Sequence, residues 1–277
     1  MVSRHLAYVW RCLATALPWA LWLTATANAA GTDLAECGLK PNEPGTIVAA
    51  DSTGDLSLQD GRKLKLAGVR IAASPNPLAD LVGQTIVPYP AAKGPDRTGF
   101  TPAHILLSAE TDNQPPVWLQ QKLLQQGNAF IYIYPDQISC ASALRSSEET
   151  ARQSGTGIWN LDLLHPTPIS IPKDTQSFFL GTAGHFDADR AVGHYGIIRG
   201  LVLSTGSAGR WRYLNFGRNY TEDFTVRLTA NVEKRLSEHG FTLKGLKDRT
   251  IEVRGIVQSN GGPLVDVFDT AQIVIME

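Results

Sequence analysis

Asp60-Gly61-Arg62-Lys63-Leu64-Lys65-Leu66-Ala67-Gly68-Val69 is the stretch on which the reading of the first half of the chain turns. Asp-Gly is a strong hairpin signal, because glycine takes the positive φ that a tight two-residue turn demands. The residues after it alternate apolar and charged with the period of two expected of a half-buried strand. Upstream, Leu56-Ser57-Leu58 supplies the other arm of the hairpin, behind a turn at Asp51–Asp55, and Thr46-Ile47-Val48-Ala49-Ala50 a first strand. Downstream, Gln84 to Tyr89 and His104 to Ala109 read as two more strands. Pro115-Pro116 then precedes a helix over Val117 to Gln126, stopped by Gly127. A strand over Ala129 to Tyr134 and a helix over Ala141 to Ser154, stopped by Gly155 and Gly157, complete the order. A β-meander followed by helix, strand and helix is the pattern of a small OB-type barrel with helices beside it.

Pro166-Thr167-Pro168 and Pro172 then mark a stiff linker, since proline favours extended backbone and cannot continue a helix. Beyond it, Tyr195–Ser204, Arg212–Phe216, Phe224–Leu228, Thr250–Gln258 and Leu264–Phe268 carry strand formers, with a helix at Val232–His239. Five strands and one helix predict a second small barrel. The fold class expected is mainly β with helices (α+β): an OB barrel over 46–165, a linker over 166–184 and an OB-like barrel over 185–277.

Ahead of the first barrel lie two short segments. Arg4, His5 and Arg11 precede an apolar run from Cys12 to Leu23 and the small-x-small triplet Ala27-Asn28-Ala29. That is the plan of a cleavable export signal over 1–29, which implies a periplasmic or secreted protein beginning with an arm over 30–45. The other reading, a membrane anchor, is disfavoured because a span needs about 20 apolar residues. Without the signal two cysteines remain, Cys37 and Cys140. In an oxidising compartment an even number suggests one disulfide, the other reading being two buried thiols. Charge is balanced, with 25 Lys+Arg against 26 Asp+Glu, so the basic excess usual in a dedicated nucleic-acid binder is missing, although a local patch stays open.

Three segments of the first half resemble the staphylococcal nuclease (thermonuclease) family, in matching order and spacing. Leu144-Arg145-Ser146-Ser147-Glu148-Glu149-Thr150-Ala151, leading to Ile158-Trp159, is similar to the family's last helix and its Gly-x-Trp exit. Leu123-Leu124-Gln125-Gln126-Gly127-Asn128-Ala129-Phe130 resembles its helix-to-strand passage, and the Asp60–Val69 segment its second hairpin. Together they cover roughly Thr46 to Leu164. The resemblance implies a calcium ion held by aspartates, a glutamate that activates water, and two arginines that stabilise the five-coordinate phosphate. This chain departs at most of those positions. Asp51 and Asp55 remain as metal ligands should the site be active, but Lys65 stands where the strand arginine belongs, without the planar fork that suits phosphate. Arg70 stands for a ligand carboxylate, Ala73 for the general base and Phe100 for the second arginine. Base and charge-stabilising groups are each worth about 10²–10⁴ in rate, so their joint loss predicts an inactive homologue with no catalytic residue, no metal and no cofactor. The alternative is a calcium-dependent nuclease in which Arg97 or Glu110 substitutes from nearby.

In the second half, Trp211, Arg212, Tyr213 and Arg218 combine aromatic faces and cations that suit bases and phosphates. The competing reading puts Trp211 and Tyr213 on a core face and leaves the arginines in solvent. His185-Phe186-Asp187-Ala188-Asp189, with His194, offers metal-ligand chemistry but reads better as a solvated loop. The function expected is an exported binding module for nucleic acid, another oligomeric ligand or an envelope protein, with a structural envelope component as a further alternative.

Overall fold

The computed structural model describes residues 34–108, 115–135, 138–160, 178–183, 185–219 and 221–276. The predicted export signal, Glu110 and the proline-rich part of the linker lie outside the described residues. No helix among the described residues is long and apolar enough to cross a membrane.

The first domain is a closed five-stranded barrel. Strands β1 (Gly45–Ala50), β2 (Asp55–Leu58) and β3 (Lys63–Leu66) form the meander read from the sequence. β5 (Thr85–Pro90) and β6 (Thr101–Leu107) continue from β1, and β6 closes the ring by pairing in parallel with β3. The strand expected to run through Val69 stops at Leu66, because Gly68 takes φ +73° and turns the chain. Val69–Ile71 becomes a separate strand, β4, paired with β8 (Ala129–Ile131). Val117–Trp118, read as the start of a helix, is a strand (β7) on β6, and helix α1 covers Leu119–Gln125. Buried Gln120 ties the two: its Oε1 accepts from Ile105 N and Trp118 Nε1, each at 3.1 Å, and its Nε2 donates to Ala103 O at 2.9 Å.

Helix α2 (Ala141–Gln153) buries Ala141, Leu144, Ser147, Glu148 and Ala151 along one face. The two glycine-bearing motifs meet each other at its end. Gly127 and Gly157 both have positive φ, and a Cβ on Gly127 would collide with the carbonyl of Thr156, one on Gly157 with that of Gly127. The sulfurs of Cys37 and Cys140 lie within disulfide distance, with Cα atoms 5.2 Å apart, and tie the arm to the start of α2.

The second domain is a curled half-barrel. Its strands run in the order β11-β12-β13-β15-β14-β10-β9, with β16 (Ile273–Ile275) on β14. They span β9 Phe178–Thr182, β10 Tyr195–Leu201, β11 Ser204–Ala208, β12 Trp211–Asn215, β13 Thr225–Thr229, β14 Thr250–Ser259 and β15 Pro263–Val267. Among the described residues eight strands replace the five expected, and β9 falls inside the stretch read as linker. The predicted strand Tyr195–Ser204 is two strands, and β9 gains its place only by parallel pairing with β10, a long-range partner that leaves no mark on its own sequence. Helix α3 (His185–Arg190) stands where a loop was read, and α4 (Ala230–Glu238) packs against β13 with Val232 and Leu236 buried.

The barrels are joined by buried charge. Arg254 of β14 and Glu148 of α2 are each 1% exposed and form a two-pronged pair, with Arg254 Nη1 donating to Glu148 Oε1 at 3.0 Å. Glu252, 3% exposed, accepts from Arg254 Nη2 and Arg152 Nη2, both at 2.8 Å. Burial works to raise the Glu252 carboxyl, but Arg254 and Arg152 outweigh it and hold it at about 2. Burial likewise opposes the charge on Arg254, yet Glu148 and Glu252 raise its pKa above the ordinary value. Tyr195 of β10 completes the seam: its hydroxyl accepts from Ile133 N at 3.0 Å, and its ring stacks on Tyr132 at 4.4 Å.

Candidate functional site

A groove of about 990 Å³ opens on the first barrel between the end of β3, β4, the loop before β6 and the segment after β8. Lys65, Arg70, Lys93, Asp96, Arg97, Tyr132 and Tyr134 line it. Three of the positions named from the sequence therefore lie together. Lys65 faces Asp55 across the β2–β3 pairing, and the charge on Arg70 also reaches Asp55.

Each of these side chains is engaged in a way that bears on chemistry. Lys65 Nζ donates to Asp96 Oδ2 at 2.8 Å and sits 5.6 Å from the centre of the Phe100 ring, with Lys63 Nζ at 5.7 Å. Phe100 thus holds two ammonium groups by its π face. Asp96 Oδ1 accepts from Thr98 N at 2.8 Å, Thr98 Oγ1 at 2.5 Å and Phe100 N at 3.3 Å. The hydrogen bonds from Lys65 and Thr98 hold the Asp96 carboxyl well below the usual carboxylate range. Asp51 is exposed, and its Oδ1 accepts from Thr53 N, Thr53 Oγ1 and Asp55 N, so it fastens its own turn. Asp55 keeps one carboxylate oxygen buried without a hydrogen-bond partner. Burial pushes its carboxyl up, against Lys65 and Arg70 and with Asp51 and Asp96. Arg70 lays its guanidinium over the Tyr132 ring at 4.5 Å. Ala73 brings only a methyl group, and its amide donates to Asn128 O at 3.2 Å.

This donor set does not fit a calcium ion, which takes about six to eight oxygen ligands. Asp51 and Asp96 each give Oδ1 to backbone and hydroxyl donors, Asp96 Oδ2 is held by Lys65, and Asp55 lies beside an ammonium and a guanidinium. Among the described residues no group of three or more His, Cys, Asp or Glu side chains is placed to hold a metal. The side chains of His185 and Asp187 lie outside the described residues, so that motif is tested only for Asp189 and His194, which join no such group.

Tyr132 and Tyr134 line the groove and were passed over by sequence reasoning. They lie in a segment read simply as a strand, and only the alternation that puts both on one side could have flagged them. Their rings stack at 6.2 Å and 15°. With Tyr195 behind Tyr132, three rings form a column that runs from the buried seam out to Tyr134, which is exposed at the groove. No protein-family model matches the chain, and no curated protein does.

On the second domain the four residues named from the sequence are not brought together. Leu214 is the buried residue of β12, so Trp211, Tyr213 and Asn215 share the opposite, outer face. The core-face reading of Trp211 and Tyr213 is thereby reversed. Trp211 lies between Arg210 and Arg227, whose guanidiniums are 4.6 and 4.5 Å from its ring centre. Arg212 is on the Leu214 side, where its Nε donates to Glu233 Oε2 of α4 at 2.6 Å. Arg218 is exposed in the turn after β12, apart from them. The surface that does form around Tyr213 is a pocket of about 540 Å³, lined by β11, β12, β13 and the β14–β15 turn.

Proposed function

We propose that this chain is an exported, nuclease-like binding module that holds single-stranded nucleic acid in the first-barrel groove without cleaving it. The observation that carries the reading is the convergence of Arg70, Lys93 and Arg97 with Tyr132 and Tyr134 on one open groove. Asp96, the acid that lines the groove, is balanced by Lys65, which leaves the charge of these three cations for a ligand. Tyr134, 49% exposed at the end of the stacked column, offers a ring face to an unpaired base, and such stacking is worth about 1–3 kcal/mol per base. Duplex would keep its bases out of reach of that ring. The replacement of the base position by Ala73 and the engagement of the acids support binding without hydrolysis.

The test is binding of labelled single-stranded DNA and RNA to the chain from Ala30 onward, with cleavage followed in Ca²⁺, Mg²⁺ and EDTA. Single-strand binding falls with a slope of about 0.7 per neutralised phosphate on a log–log salt plot. Three cations then predict about a 20-fold loss of affinity from 50 to 200 mM salt, on the same relation. Retention that is salt-insensitive, or unaffected by Tyr134→Ala with Arg97→Ala, refutes the groove. Metal-dependent cleavage abolished by Asp55→Ala would instead establish the active nuclease.

A further inference from the structure

The pocket on the outer face of the second domain is built unlike the first-barrel groove, and its chemistry points to a different ligand. Three strands set its floor in register. Tyr213 stands between Gly206 of β11 and Arg227 of β13, and Asn215 between Ser204 and Thr225. Gly206 leaves open space where a side chain would have stood, so the floor beside Tyr213 is uncovered. Asn260, in the β14–β15 turn, closes one end.

The charges of this face cancel within it. Arg227 donates through Nε and Nη2 to both oxygens of Asp266, at 2.6 and 2.8 Å, on the strand alongside. That pairing uses the planar fork that would otherwise grip a phosphate, and Asp223 adds a carboxylate to the wall. Arg212, the cation of β12, is held on the far face by Glu233. Within the pocket an anionic polymer therefore finds no available fork and meets a carboxylate. An apolar ligand fares no better, because it would strip water from Asn215 and Asn260 without replacing their hydrogen bonds. What the pocket matches is an uncharged ligand with an apolar flat face for the Tyr213 ring and many hydroxyl or amide groups around its rim. The polar side chains are preorganised: Asn215 Nδ2 donates to Ser204 Oγ at 3.1 Å, and Arg227 is locked by Asp266 and by Trp211. The volume, about 540 Å³, falls in the usual range for small-ligand sites, about 300–1,000 Å³.

We propose that this pocket binds an uncharged saccharide, the Tyr213 ring stacking on the apolar face of a sugar and Asn215 and Asn260 taking its hydroxyl or acetamido groups. The site does not depend on the first-barrel groove and stands or falls separately. Cellohexaose, maltohexaose and tetra-N-acetylchitotetraose are titrated into the full chain by calorimetry or heteronuclear NMR, beside a single-stranded oligonucleotide. The expected result is saturable binding of at least one saccharide with a Kd of about 1 mM or tighter, a free energy of about −4 kcal/mol. Tyr213→Ala and, separately, Asn260→Ala are expected to weaken it at least tenfold and to leave the thermal midpoint and oligonucleotide binding unchanged. Both side chains are outside the core, so neither variant tests folding. Absence of saturable binding by all three saccharides overturns the proposal. So does saccharide binding untouched by both variants, and so does oligonucleotide binding lost in Tyr213→Ala.

Discussion

Replacing Glu148 by glutamine removes one charge from the seam between the barrels while keeping the side chain's shape. The amide oxygen of the glutamine can still accept from Ile131 N, as Glu148 Oε1 does at 2.7 Å, so the backbone bond is spared. What is lost is the partner of Arg254, a guanidinium 1% exposed. Glu252 alone must then balance Arg254, Arg152 and Arg199, which approach it at 2.8, 2.8 and 3.4 Å. Breaking one side of a buried pair costs about 3–5 kcal/mol, because the remaining charge is left without compensation. Glu252 retains part of that compensation, so the lower end, about 3 kcal/mol, is expected here. For a chain of this size that corresponds to a fall in Tm of roughly 6–12 °C. Arg254→Met should be destabilising too, since it strands Glu148. The double variant Glu148→Gln/Arg254→Met removes both charges and should be more stable than the sum of the single losses predicts, by at least about 1 kcal/mol. Thermal and urea unfolding of the four proteins, followed by circular dichroism and tryptophan fluorescence, closes the cycle. Strict additivity, or a fall of less than about 2 °C for Glu148→Gln, would refute the view that buried charge clamps the barrels together.

Three further outcomes are expected. Reducing the protein, or replacing Cys37 and Cys140 together by serine, frees a link across 103 residues and should lower stability by about 2–4 kcal/mol in urea titrations. Reductant should have no further effect on the serine variant. Tyr195→Phe keeps the ring stacked on Tyr132 but leaves the buried Ile133 amide unpartnered, at a cost of about 1–3 kcal/mol read as a lowered urea midpoint. Acid should destabilise the protein in two stages, and both signs follow from folded pKa values below the unfolded ones. Burial, against a backbone contact from Ser139, lowers His104 from 6.5 to about 4, so its contribution is full above 6.5 and fades as pH falls toward 4. Glu252, held at about 2 against 4.5, contributes fully above 4.5 and loses its effect as pH falls toward 2. Urea midpoints from pH 7 to 3 check this, and His104→Asn should flatten the upper stage alone.

The candidate groove was half legible beforehand. Asp51, Asp55, Lys65, Arg70 and Phe100 could be named only through the family resemblance, which short local motifs carry: a turn, a hairpin and a strand end. Their engagement could not. Asp96 is 31 residues from Lys65, and nothing local announces that its carboxylate will hold that ammonium. Tyr132 and Tyr134 escaped notice because, read within one strand, an aromatic residue serves a core as readily as a groove. On β12 the same ambiguity was resolved by Leu214, whose burial sends Trp211 and Tyr213 outward.

Neighbouring residues are enough to set the local elements and their class. Period-two alternation, the Asp60-Gly61 turn and glycines that stop helices are all short-range signals, so the meander, α2 and most strands of the second domain follow from the sequence alone. Pairings between distant segments needed the folded chain: the parallel β3–β6 contact that closes the first barrel and the β9–β10 contact that extends the second sheet. The seam belongs to the same class. Glu148 and Arg254 each look like ordinary surface residues of a helix and a strand, and they are 106 positions apart. Burial turns them into a pair that must stay together, because in a low-dielectric interior neither charge is tolerated alone.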